Sequence, residues 1–219
     1  MGKDKLRRFS EIKLLNNVTE YNFHDDSIQL NFNSIFSNKN PIVLELGCGK
    51  GEYTVNLARK YKNQNFIGVD IKGNRIYVGA KLAIEEHLTN VHFLRTRIDF
   101  IDRCLGEQSV DEIWLTFSDP QPKKPRKRLS SELFIERYKK FLKPKGIIHL
   151  KTDSDILFEY TLNQIAINNY SCNISSRDIK KEMNKFSLEL QNKLKIETHY
   201  EKLFAKKGSS IKYCQFSIR

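Results

Sequence analysis

No apolar run in this chain of 219 residues approaches the roughly 18 residues that a membrane-crossing helix needs. The N-terminus, Met1-Gly2-Lys3-Asp4-Lys5-Leu6-Arg7-Arg8, is basic, but no hydrophobic stretch follows it, so it does not read as a secretion signal. Gly2 would suit N-myristoylation, yet Leu6 stands where that signal wants Ser or Thr. Cysteine is sparse. Cys48, Cys104, Cys172 and Cys214 are scattered and make no C-x-x-C, the pattern of reduced thiols in a cytoplasmic protein. The five histidines have no metal-ligand spacing, so no metal is expected. Internal repeats and low-complexity linkers are also missing. What remains is a soluble, globular chain long enough for one domain with a sizeable core.

Positive charge is abundant. Lys and Arg number 38 against 26 Asp and Glu, a net charge of +12. Such an excess favours a polyanionic partner, nucleic acid first.

Residues 1–40 are polar and rich in Asn and Ser, with one short possible strand at 28–32. They read as an irregular N-terminal extension packed on a domain spanning 41–219. From Pro41 onward strand and helix patterns alternate, which predicts an α/β fold: a mostly parallel, twisted sheet with helices on both faces. The expected strands are Ile42–Leu46, Phe66–Asp70, Val91–Arg95, Glu112–Phe117 and Ile147–Lys151, with a last one at Ile211–Ile218. The expected helices are Glu52–Tyr61, Arg75–His87, Ser131–Phe141 and Ile156–Asn168. Gly146 is expected to turn the chain into the fifth strand.

The segment Val43-Leu44-Glu45-Leu46-Gly47-Cys48-Gly49-Lys50-Gly51-Glu52 carries the strongest signal. A buried strand runs into three glycines at alternate positions and then a helix. Glycine lets the backbone turn sharply and come close to a ligand. Asp70 ends the next strand about 20 residues on, where a nucleoside-binding βαβ unit places the carboxylate for the ribose hydroxyls. A dinucleotide fingerprint would want glycine at position 52, where Glu52 stands. Glu45 would repel a pyrophosphate and attract an ammonium or a sulfonium; S-adenosylmethionine carries both. Cys48 reads as a small packing residue of the loop rather than a nucleophile.

The fourth strand empties into Ser118-Asp119-Pro120-Gln121-Pro122-Lys123-Lys124-Pro125-Arg126-Lys127-Arg128-Leu129. Ligands of open α/β sheets bind beyond the carboxyl ends of the strands, so topology alone puts Asp119 beside the cofactor pocket. The prolines stiffen the loop. The basic residues of 123–128 either grip phosphates or form an ordinary solvated face.

The glycine segment resembles the first motif of class I methyltransferases, in which an antiparallel C-terminal strand completes the Rossmann-like sheet. The whole set of motifs resembles the bacterial tRNA (guanine-N7)-methyltransferase family, single-subunit enzymes that modify the variable loop of tRNA. The carrying segments are Glu45-Leu46-Gly47-Cys48-Gly49-Lys50-Gly51, Gly68-Val69-Asp70-Ile71-Lys72, Phe117-Ser118-Asp119-Pro120-Gln121-Pro122-Lys123-Lys124, His149-Leu150-Lys151-Thr152-Asp153 and Thr198-His199-Tyr200-Glu201. The resemblance implies S-adenosyl-L-methionine as cofactor, tRNA as partner and a monomer or homodimer. It assigns Glu45, Gly47, Gly49, Asp70 and Asp119 to the cofactor, with Asp119 catalytic between cofactor and guanine. Lys123, Asp153, Thr198, His199, Tyr200 and Glu201 match the family's substrate-binding positions. Lys124, Pro125, Arg126, Lys127, Arg128 and Leu129 match its RNA-contacting loop. Three positions depart from the family. Ser118 and Gln121 replace a proline and a tryptophan, and Arg97 stands where an acid serves the adenine, with Asp99 two residues further on.

Plainer readings stand beside these. Asp153 could be an N-cap, a task Ser154 or Asp155 could equally perform. Tyr200 and Glu201 could belong to an ordinary amphipathic helix, and Trp114 and Phe117 suit the core better than a base-stacking platform. A methyltransferase for another RNA position, such as an exocyclic amine, is a rival; such enzymes often carry an aromatic at the end of the Asp-Pro loop, which is missing here. A non-catalytic RNA-binding protein that kept the fold is another.

Overall fold

The structure, a computed structural model, describes residues 3–21, 29–199, 201, 203 and 209–218. In chain order the elements are α1 (Lys3–Glu11), β1 (Val18–Glu20), α2 (Phe32–Phe36), β2 (Ile42–Leu46), α3 (Glu52–Lys60), β3 (Asn65–Asp70), α4 (Gly73–Glu85), β4 (Val91–Arg95), α5 (Ile101–Cys104), β5 (Val110–Thr116), α6 (Glu132–Phe141), β6 (Leu142–Thr152), α7 (Asp155–Ile167), β7 (Ser171–Ser176), α8 (Leu188–Leu194) and β8 (Lys212–Ser217). The sheet order is β1-β4-β3-β2-β5-β6-β8-β7. Pairings from β1 to β6 are parallel, and β8 runs antiparallel between β6 and β7. Both the α/β class and the antiparallel C-terminal strand are as expected.

Helices cover both faces, so the central strands are apolar at nearly every position and period two sorts them between two cores. Leu44, Leu46, Ile67, Val69, Ile113 and Leu115 pack with α6 and α7 residues such as Phe134, Tyr138 and Leu157. Val43, Phe66, Phe93 and Trp114 pack with Val55, Leu57, Ile76 and Ala80 of α3 and α4, and with Leu190 and Leu194 of α8. On this second side the centre of the sheet is polar. Trp114 and His149, neighbours in register, stack at 4.0 Å. Lys193 Nζ lies 3.1 Å from Glu112 Oε1 beside them.

The N-terminal segment differs from its expected irregular form. Residues 3–11 are helical, with Arg7 and Glu11 paired one turn apart at 3.0 Å. Ile12 is fully buried in the second core, and Val18–Glu20 adds a parallel strand to β4. The expected strand at 28–32 does not form over its described residues. The Asn31 side chain accepts a hydrogen bond from Ser34 N at 3.2 Å and starts α2 instead. Gly146 lies inside β6 rather than before it. The register shifts there, from Val110 opposite Leu142 to Glu112 opposite Ile147. Two elements carry no clear sequence signal. β7 is a polar, largely exposed edge strand, and α8 is a short helix started by the Ser187 side chain.

Sheet order reverses between β2 and β5. The carboxyl ends of β2, β3 and β5 therefore open into one crevice.

Candidate active site

A cleft of about 990 Å³ fills this crevice. Its floor is the glycine loop. Gly47, Gly49 and Gly51 have φ of 86°, 58° and 71°, which side-chain-bearing residues rarely adopt. At Gly47 and Gly49 a Cβ would meet nothing within 4 Å, so their open side is space for a ligand. Gly51 is a packing requirement, because a Cβ there would stand 2.6 Å from Phe93 Cε1. The turn is pinned where Gly47 N and Cys48 N donate to Val69 O at 2.8 and 3.0 Å. Burial pushes the Cys48 thiol well up from its usual range, which suits packing and not nucleophilic attack.

Glu45 is 5% exposed inside an otherwise apolar strand. Thr54 N, in the first turn of α3, donates to its Oε2 at 3.0 Å, and the hydroxyls of Thr54 and Thr116 donate to its two oxygens. Burial nevertheless pushes its carboxyl up to about 7. Asp70 ends β3 and braces the loop: Gly49 N donates to Oδ2 at 2.9 Å and Lys72 N to Oδ1 at 2.8 Å. Arg97 and Asp99 both line the cleft and pair at 3.5 Å. An acid therefore does reach this wall, from two positions beyond the one occupied by Arg97.

The opposite wall comes from the loop after β5 and from the C-terminal segment. Asp119 lines the cleft and is exposed; its Oδ1 accepts from Gln121 N at 2.9 Å, and Phe117 and Gln121 on either side have φ of 48° and 44°. Ser154 caps α7 by accepting from Leu157 N at 3.2 Å, which leaves Asp153 to line the cleft. Thr198 and His199 also line it. His199 N donates to Glu52 Oε2 at 2.6 Å, tying the C-terminal segment to the first turn of α3. Glu201 faces inward. It is 2% exposed and pairs at 2.7 Å with Lys151 Nζ, which also donates to Leu194 O and Ile196 O at 2.8 and 2.9 Å. Tyr200 lies outside the described residues.

The basic run divides. Lys123, Lys124, Pro125, Arg126 and Lys127 are exposed, and Lys127 and Leu129 line the cleft. Arg128 is buried at 5% exposure. Trp114 is fully buried and Phe117 half-buried, consistent with core roles.

Sequence reasoning passed over Thr54, Thr116 and Lys151, the side chains that hold Glu45 and Glu201. Lys151 had a signal. A lysine within Ile147-Ile148-His149-Leu150-Lys151, on a strand buried on both faces, has to find a partner for its charge.

Residues 39–214 match a protein family described as "Putative methyltransferase". The chain belongs to this methyltransferase family. Among its relatives are proteins named tRNA (guanine-N(7)-)-methyltransferase from Bacteroides thetaiotaomicron, 45% identical over all of this chain and 87% of that protein, and from Christiangramia forsetii, 44% identical over all of this chain and 99% of that protein. Solved structures similar to this methyltransferase include the 16S rRNA methyltransferase KamB, with TM-score 0.62 at 14% identity over 84% of this chain and 91% of that one. A SAM-dependent methyltransferase from Aquifex aeolicus has TM-score 0.57 at 13% identity, over 96% and 98%. At such identities these two likenesses show the fold alone. S-adenosylmethionine is the cofactor of the family, and the cleft fits it. The glycine turn leaves open space beside it, and the acids at two neighbouring strand ends suit a ligand with a cationic end and a diol.

Proposed function

We propose that this methyltransferase transfers the methyl group of S-adenosylmethionine to N7 of a guanosine in tRNA, in the variable loop. The observation that carries the reading is the meeting of two acid pairs in one cleft, Glu45 with Asp70 on the cofactor side and Asp119 with Asp153 on the other, beside an exposed basic run. The tRNA-modifying relatives support the same substrate.

When bound, the cofactor supplies an electrophilic methyl on a sulfonium. Glu45 meets its cationic methionine end and Asp70 its ribose hydroxyls. The guanine N7 lone pair lies in the ring plane and is nucleophilic without losing a proton, so no strong base is needed. What the protein must do is hold N7 in line with the methyl, a proximity effect. The base becomes cationic as it is methylated. Asp119 faces that charge, and Asp119 or Asp153 accepts from N1–H and the 2-amino group, donors that adenine lacks. Lys123, Lys124, Arg126 and Lys127 neutralise backbone phosphates and release counterions.

Mass spectrometry of nucleosides from unmodified tRNA incubated with the protein and isotope-labelled cofactor tests this. Labelled 7-methylguanosine is expected; another labelled nucleoside, or none, contradicts it.

A further inference from the structure

Arg128 ends a run of exposed cations, yet it points away from them. Its Nε donates to Pro120 O at 2.8 Å, across the loop to the residue that follows Asp119. Its guanidinium carbon lies 4.4 Å from the centre of the Tyr160 ring on α7. An arginine committed to a backbone carbonyl and an aromatic face, and buried by both, is poorly placed to meet a phosphate.

The surrounding contacts show what this tether does. The returning limb of the loop is anchored from below: Ser131 Oγ donates to Arg126 O at 2.9 Å, and the buried Tyr138 hydroxyl donates to Leu129 O at 2.9 Å. The outgoing limb, Phe117 to Gln121, carries Asp119 between two residues at positive φ, an arrangement that costs energy and persists only when its surroundings hold it. Arg128 joins the anchored limb to this strained one. Through Tyr160 it also joins the loop to α7, the helix that Asp153 and Ser154 introduce.

We propose that Arg128 is a positioning residue, which fixes Asp119 for the purine by clamping Pro120 to α7, and not a contact to RNA. The proposal rests on the reading of Asp119 given above. A planar guanidinium performs both tasks at once, donating in its plane while stacking on its face. Lysine could reach the carbonyl but would lose the stacking.

The test compares Arg128→Gln and Arg128→Lys with the parent enzyme in single-turnover methylation at saturating tRNA and in tRNA affinity over a range of salt. Arg128→Gln is expected to lower the saturating rate about 100-fold, the scale on which a displaced catalytic group acts. The tRNA dissociation constant and its salt slope should stay at parent values, and Arg128→Lys should fall between. Asp119→Ala should cost far less in the Arg128→Gln background than alone, because the carboxylate is already misplaced. Tyr160→Leu, which removes only the platform, should give the same pattern at smaller size. Hydrogen exchange of the peptide spanning Phe117–Lys124 should accelerate in Arg128→Gln. That readout needs no methyl transfer, so the proposal stands or falls separately from the substrate assignment. An unchanged saturating rate with weaker tRNA binding and a shallower salt slope would overturn it in favour of a phosphate contact. Unchanged exchange of that peptide, or full additivity with Asp119→Ala, would also overturn it.

Discussion

The two walls of the cleft are built in different ways. The wall proposed for the cofactor is mostly local, Thr116 being a distant tie that donates to Glu45 across 71 positions. Glu45, the glycines, Thr54 and Asp70 lie within 26 residues of one another in sequence, on β2, the loop after it, the first turn of α3 and β3. Its bonds run between backbone and short side chains. The wall proposed for the substrate is assembled from afar. Lys151 meets Glu201 across 50 positions, and Glu52 meets His199 N across 147. A nucleoside site can be made by one βαβ unit, whereas a site for a base within a folded RNA needs groups brought from several strand ends and from the C-terminal segment.

If the substrate wall depends on long-range ties, cutting one should cost more than any change at the glycine loop's rim. Lys151→Met leaves Glu201 buried without its partner, and urea unfolding should show a loss of about 3–5 kcal/mol. Replacing both residues by apolar ones should recover most of it. Because Lys151 holds the chain that leads into Thr198 and His199, the double variant should fold yet still methylate tRNA slowly. A double variant of parent activity would dissolve the contrast between the two walls.

This difference also explains how much could be read in advance. The glycine turn, Asp70 and the five central strands were legible because each follows from spacing within one unit. Asp119 was legible from topology, since it follows the strand next to the switch point. The burial of Glu201 and Arg128 was not legible. Both are charged residues whose inward orientation goes with partners, Lys151 and Tyr160, that no local pattern announces. The N-terminal helix and β1 were missed for a related reason: an edge element gains its stability from packing on β4 and α4 rather than from its own composition.

The cofactor wall should respond to pH. Burial raises the Glu45 carboxyl to about 7, and the ammonium group of a bound ligand favours its ionised form. Affinity for S-adenosylhomocysteine should therefore be full above pH 7 and weaken as pH falls through 7, by up to about tenfold per unit. Glu45→Gln should flatten the profile. Calorimetry from pH 6 to 8.5 measures both.

The exposed cations should give the smallest effects singly. Neutralising Lys123, Lys124, Arg126 or Lys127 should weaken tRNA binding and reduce the slope of log affinity against log salt by about 0.7–0.9 for each phosphate no longer neutralised. Cofactor affinity should not change. An unaltered salt slope in the fourfold variant would make the run a solvated face.

Whether the two walls divide the work as described is read most directly from Glu45→Gln and Asp119→Asn assayed side by side. Each is measured for S-adenosylhomocysteine affinity, tRNA affinity and single-turnover rate with both ligands saturating. Glu45→Gln should lose most in cofactor affinity. Asp119→Asn should keep both affinities near the parent values and lose rate, because a carboxylate facing developing positive charge acts mainly in the transition state. A parent-like saturating rate in Asp119→Asn, or a loss confined to tRNA affinity, would contradict that assignment.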